Sequence, residues 1–196
     1  PPASPPFAFE SRELLPVEQA GTSGVSWRPG CPVPLADLRL VTMSHWGFDR
    51  KVATGRLVVH KDAVPAVHGA FERLFAVGFP IRRMRPIEAY RGDDYASIED
   101  DNTSAFNCRP RVGSPGEYSQ HSFGQAVDLN PLENPYVDAR GRTSHPRSVT
   151  YLDRSRERPG MILPGGPAVA AFDPVGWQWG GRWSSPTDLQ RLSSSG

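Results

Sequence analysis

Two side chains of metal-binding type stand close together in the stretch Ser119-Gln120-His121-Ser122-Phe123-Gly124-Gln125-Ala126-Val127-Asp128. His121 offers an imidazole and Asp128, seven positions on, a carboxylate. Zinc takes N and O donors of these kinds at about 2.0–2.2 Å. Gly124 and Ala126 are small, so the backbone between the two can turn and the side chains can converge. A core histidine and a capping aspartate would show the same spacing, and the pair taken alone leaves both readings open. Ser119 is expected to support the His121 loop by hydrogen bonding at the substrate-facing side. No His–Asp partnership suited to a serine hydrolase is visible, so it is not read as a nucleophile.

The whole stretch has the form S-x-H-x-x-G-x-A-x-D. This resembles the signature of the D-alanyl-D-alanine carboxypeptidase family of zinc peptidases, which includes VanY-like enzymes and L-alanyl-D-glutamate endopeptidases. Three further stretches resemble an actinobacterial branch of that family: Asp101-Asn102-Thr103-Ser104-Ala105-Phe106-Asn107-Cys108-Arg109, Asn130-Pro131-Leu132-Glu133-Asn134-Pro135-Tyr136, and Gly176-Trp177-Gln178-Trp179-Gly180-Gly181-Arg182-Trp183. The resemblance runs from about Cys31 to the C-terminus. It implies a small α+β domain whose central antiparallel sheet carries one zinc, with His121 and Asp128 as the first two ligands. It also implies a second motif, an acid followed three residues later by a histidine, in which the acid activates zinc-bound water and the histidine is the third ligand.

Here the second motif reads Asp188-Leu189-Gln190-Arg191-Leu192. Asp188 stands where the resemblance expects the general base and acid. Arg191 stands where it expects the ligand. A guanidinium has five donors, no acceptor and a permanent charge, so it cannot replace an imidazole on a metal. Without metal, Arg191 is expected to pair with Asp128 or Asp188 and close the site as a salt bridge. Another histidine could complete the site, and His45, His60, His68 and His145 remain, with His60 and His145 the best placed. Gln190 is an unsuitable zinc ligand. For stabilising an oxyanion the resemblance offers Arg109, inside the matched Phe-Asn-Cys-Arg stretch, with Arg91 after Tyr90 as the other candidate.

The elements that must position these groups follow from periodicity. Alternating apolar character predicts strands at Leu38–Met43 and Leu57–His60. Val64, Val67, Phe71, Leu74 and Phe75 recur at helical spacing after Asp62 as N-cap and Pro65 in the first turn, with Gly78 closing the helix. Ile81–Tyr90 reads as a strand, 91–120 as a long functional loop, Gln125–Leu129 as a short strand, Pro167–Phe172 as a short helix and Trp177–Trp179 as a strand. Alternation puts Trp177 and Trp179 on one face, either lining a substrate groove, with Trp183 nearby, or packing the core. The mixture points to an α+β class, with a Pro/Gly-rich arm at 1–34 lying on a single domain at 35–196.

The chain has 196 residues and a formal net charge of +1, which gives no electrostatic reason to expect nucleic acid as a partner. No apolar run reaches the roughly 18 residues of a membrane span. Pro1 to Pro6 read as a remnant left after removal of an export signal or tag, so the chain is expected to be secreted or associated with the cell wall. An even pair of cysteines, Cys31 and Cys108, then suggests one disulfide, with two inert buried thiols as the alternative. The resulting expectation is a monomeric zinc peptidase acting on D-alanine-containing stem peptides of peptidoglycan. Its rival is a degenerate homologue that binds wall peptide or a protein partner without hydrolysis. Position 191 discriminates between them.

Overall fold

The computed structural model describes residues 5–111 and 113–195. Pro1–Ser4, part of the expected processing remnant, lie outside the described residues. The largest sheet is antiparallel, with strand Phe9–Glu13 at one edge, Leu38–Trp46 in the centre and Val52–His60 beyond it. Successive side chains of a strand face opposite sides, and here both sides are covered. Val41, Met43, Leu57 and Val59 face the main core. Leu38, Leu40 and Val58 face a smaller core with Leu14, Val33, Phe106 and Cys108. The N-terminal arm therefore contributes an edge strand, the short helix Pro16–Thr22 and part of a core, rather than lying extended throughout.

Helix Val64–Ala76 buries Val67, Ala70, Phe71, Leu74 and Phe75 against the main core. Its entry differs from the expectation in one respect. Its N-cap is Ala63, with no side-chain cap, and not Asp62; the His60 ring, which accepts the Asp62 backbone N–H at 3.2 Å, caps the preceding 3-10 turn Lys61–Ala63. Gly78, at φ +70°, ends the helix in the left-handed region as expected. The helix Pro167–Phe172 forms with the predicted bounds.

Two segments depart from the periodicity reading. Ile81–Tyr90 is not one strand. Only Arg83–Met84 pairs, parallel to Asn102–Thr103, and Ile87–Tyr90 is a 3-10 turn entered through Pro86, which has no N–H for a ladder. The stretch 91–120 is not a structureless loop. It holds the helix Asp94–Glu99, capped by Asp93 onto the Ala96 N–H, and strands Pro110–Arg111 and Ser114–Tyr118.

A second antiparallel sheet orders Gln178–Trp179, Arg191–Ser193 and Ala126–Asp128. The segment leaving it, Asn130 to Asn134, is buried and anchored by side chains. Asn134 Nδ2 donates to the carbonyls of Leu129, Asn130 and Gly160. Arg82 bridges Asp101 and Glu133 at 3.3 and 3.4 Å. Burial first, then the hydrogen bond and charge of Asp101, push the Glu133 carboxyl up to about 8. A carboxyl raised above its unfolded value of 4.5 contributes stability that is full below that value and is lost as pH rises through about 8. Glu133→Gln is therefore expected to flatten the fall in urea midpoint between pH 4.5 and about 8. An unchanged slope would locate the pH dependence elsewhere.

Candidate active site

Ser119 opens the site. Its hydroxyl accepts the His121 N–H at 3.4 Å and caps the 3-10 turn Gln120–Phe123. Ser122 fastens that turn to the neighbouring strand. Its Oγ donates to the Arg109 carbonyl and accepts the Arg109 N–H, both at 2.9 Å. The turn ends at Gly124, with φ +65°, which redirects the chain into the strand Ala126–Asp128. A Cβ at Gly124 would come within 2.5 Å of the His60 backbone nitrogen. Gly124→Ala is expected to lose more than the roughly 1–2 kcal/mol of left-handed strain. Gly141→Ala, at φ +74° in open space, would show the strain without the clash. Equal losses in thermal melts of the two variants would remove the clash from the argument.

The His121 ring is tethered on one side and faces Asp128, without hydrogen-bond alignment, on the other. Nδ1 bonds to the Ala105 carbonyl, and Nε2 stands 3.0 Å from Asp128 Oδ2. A histidine tethered by one nitrogen to a backbone carbonyl is the arrangement by which proteins aim the other nitrogen at a metal. Asp128 is pinned by backbone bonds to Ser104 on one edge and lies opposite Arg191 on the other. Val127 and Leu192, also opposite one another, face the core and are fully buried. Alternation therefore turns Asp128 and Arg191 together to the opposite face.

Arg191 Nε lies 3.1 Å from Asp188 Oδ2 and 3.8 Å from Asp128 Oδ1. Neither contact has hydrogen-bond alignment, and Nε remains unpartnered. The guanidinium thus stands between the two carboxylates. Burial pushes the Asp188 carboxyl up, and the charge of Asp128 adds to that push. Burial works the same way on Asp128, but the charge of His121 close by, followed by Arg191 and Arg109, outweighs it and holds that carboxyl low.

A cavity of about 1160 Å³ opens over this cluster, and Arg109, Ser119, Trp183, Asp188, Gln190 and Arg191 all line it. Arg109 is in the wall but is paired with Asp94 at 2.8 Å. Arg91 is not in the wall; it closes the Ile87–Tyr90 turn in the left-handed region. Trp177 and Trp179 are corrected to core residues. They are 4% and 3% exposed, and Trp183 is the tryptophan that lines the cavity. Alternation gave Trp177 and Trp179 a shared face, and that face is the buried one. Trp179 still serves the site indirectly, because its Nε1–H donates to the Leu189 carbonyl at 2.8 Å, between Asp188 and Gln190. Tyr95 and Tyr118 also line the cavity and had no distinguishing motif, and they are joined there by Tyr136, the last residue of the matched Asn130–Tyr136 stretch, and by His145.

None of the four other histidines completes a metal site. His60 caps the Lys61–Ala63 turn, His45 contacts the Trp46 carbonyl, His68 packs on Phe7 and Phe9, and His145 binds Glu99 at 2.7 Å. Among the described residues no three His, Cys, Asp or Glu side chains form a metal-holding group. Zinc therefore fits two positions, His121 and Asp128, and fails at the third, where a cation already stands. Cys31 and Cys108 form a disulfide that closes 77 positions and joins the arm to the segment bearing Arg109.

Residues 112–192 match the family model of D-alanyl-D-alanine carboxypeptidase. That span includes His121, Asp128, Asp188 and Arg191, and it is less than half of the chain. The match supports a peptidase-like hydrolase scaffold of a family that is generally zinc-dependent. No curated protein and no solved structure matches the chain.

Proposed function

We propose that this protein uses a D-alanyl-D-alanine carboxypeptidase scaffold to bind D-alanine-containing peptides of peptidoglycan without metal-dependent hydrolysis. The observation that carries the reading is Arg191 set in register with Asp128 and beside Asp188. A fixed cation there disfavours a divalent ion by direct repulsion and offers no lone pair to it. What remains is a cavity wide enough for a short peptide, walled by aromatic and paired charged groups. Hydrolysis through zinc is not part of this reading, and no step is derived through it. The disulfide supports an oxidising location, and we place the protein outside the cell or at the wall.

A second reading is favoured by one observation. His121 Nε2 and Asp128 Oδ2 already converge at 3.0 Å, as two donors to one ion would. These two residues would hold zinc, and zinc would supply an activated water and polarise the peptide carbonyl. The deciding experiment is elemental analysis of zinc-replete, dialysed protein, with calorimetric titration of a peptide ending in D-Ala-D-Ala and an assay for released D-alanine. Peptide binding with little zinc and no release supports the proposal. About one zinc per chain with release of D-alanine would overturn it in favour of the peptidase.

A further inference from the structure

Three buried acceptor oxygens on residues beside Arg191 have no hydrogen-bond partner among the described residues. They are Asp128 Oδ1, Asp188 Oδ1 and Gln190 Oε1. Their residues are 5%, 3% and 5% exposed, and Asp188 and Gln190 form part of the cavity wall. Buried acceptors in folded proteins are nearly always satisfied, by protein, water or ligand. Gln190 carries no charge and belongs to no ion pair, so its orphaned oxygen is an observation independent of the two acids.

The charges narrow the ligand further. Two buried carboxylates face Arg191, which lies nearest Asp188 Oδ2 and leaves Oδ1 of that residue free, while Arg109 is paired with Asp94. His121 lies on the far oxygen of Asp128, Oδ2, and leaves Oδ1 free. The open oxygens call for N–H or O–H donors, and the carboxylates among them favour a donor that carries positive charge. A divalent ion meets twice the repulsion from Arg191 that a monovalent cation meets. A primary ammonium brings three N–H donors and a single charge, and it can pivot about its C–N bond to aim them.

We propose that Asp188 and Gln190, with the charge of Asp128 beside them, form a subsite for a protonated primary amine carried by the peptide ligand. This deepens the reading above and rests on the cavity being a peptide site. The ammonium could be the α-amino group of a peptide or a side-chain amine, and the two share this chemistry.

The first test titrates methylammonium into isotope-labelled protein and follows the Gln190 side-chain amide by NMR, with tetramethylammonium as the control. The control has the charge and no N–H. A shift of the Gln190 amide with methylammonium alone is expected. Equal response to both ions, or to neither, would overturn the proposal. The second test compares Lys-D-Ala-D-Ala in its free, α-acetylated, ε-acetylated and doubly acetylated forms by calorimetry. Double acetylation is expected to weaken binding by about 10- to 100-fold, the scale of a charged hydrogen-bonding group. The single acetylation that reproduces the loss identifies which amine is bound. Asp188→Asn and, as a variant without charge change, Gln190→Leu should each shrink the difference between free and doubly acetylated peptide. Equal affinity of those two peptides for the wild-type protein would sink the ammonium subsite and leave peptide binding standing. A Gln190 response to methylammonium with no peptide bound in any form would do the reverse.

Discussion

Arg191→His is expected to raise the zinc content of the protein from near zero to about one atom per chain. The strand Arg191–Ser193 sets residue 191 opposite Asp128, and alternation keeps its side chain on the site face whatever residue occupies it. The substitution removes a fixed positive charge and adds a neutral nitrogen donor. His121 is already oriented by the Ala105 carbonyl, and His121 and Asp128 with a new histidine make the three-ligand set that leaves one position open. Loss of one supporting partner typically costs a zinc site about 10- to 100-fold in affinity, so gaining a direct ligand should yield at least about 100-fold. Arg191→Ala separates the two contributions, because it removes the charge without adding a donor. Its zinc affinity should fall between the wild type and Arg191→His. A folded Arg191→His protein that takes up no more zinc than the wild type would mean that residue 191 does not face the His121–Asp128 pair.

Loss of the disulfide has the largest expected effect on stability. Cys31 and Cys108 are 77 positions apart, and closing such a loop in the unfolded chain corresponds to about 4.5 kcal/mol in the chain-entropy model. For a chain of this length each kcal/mol moves the melting temperature by about 2–4 °C, so Cys31→Ser with Cys108→Ser should lower it by roughly 10–15 °C. Cys108 also packs in the smaller core beside Leu14, Val33 and Phe106. Its successor Arg109 is bonded through its backbone to Ser122, in the turn that carries His121. The double variant is therefore expected to loosen the cavity wall as well as the fold, and amide exchange at Arg109 and His121 would report it. A melting temperature within about 3 °C of the wild type would show that packing of the arm, and not the crosslink, holds this region.

How much was legible depended on the range of each interaction. His121 and Asp128 lie within one turn and one short strand, so their spacing, with Gly124 between them, already carries their geometry. The helix Val64–Ala76 and the strands Leu38–Trp46 and Val52–His60 were readable because each buries a regular face against the core. The segment Ile81–Tyr90 was misread because charged and apolar residues alternate there although Pro86 interrupts any ladder. The stretch 91–120 was misread because Asp94–Glu99 is too short to show a helical period and its strands are short: Pro110–Arg111 pairs locally with Ser114–Tyr118 across a register shift, and Asn102–Thr103 pairs with Arg83–Met84.

The sequence by itself determined the residue types available for chemistry. It shows a histidine and an aspartate able to share an ion, an acid at 188, and an arginine that can donate but cannot ligate, since donor count and charge belong to the side chain wherever it lies. It also determined the even cysteine pair. Only the tertiary structure decided what those groups face. The register Arg191 to Asp128 sets the guanidinium between two carboxylates, leaves one oxygen of each and the Gln190 amide oxygen without partners, and turns Trp177 and Trp179 into the core while Trp183 meets the cavity. The reason is that alternation along a strand states which residues share a face, whereas burial against distant elements selects which face meets the core.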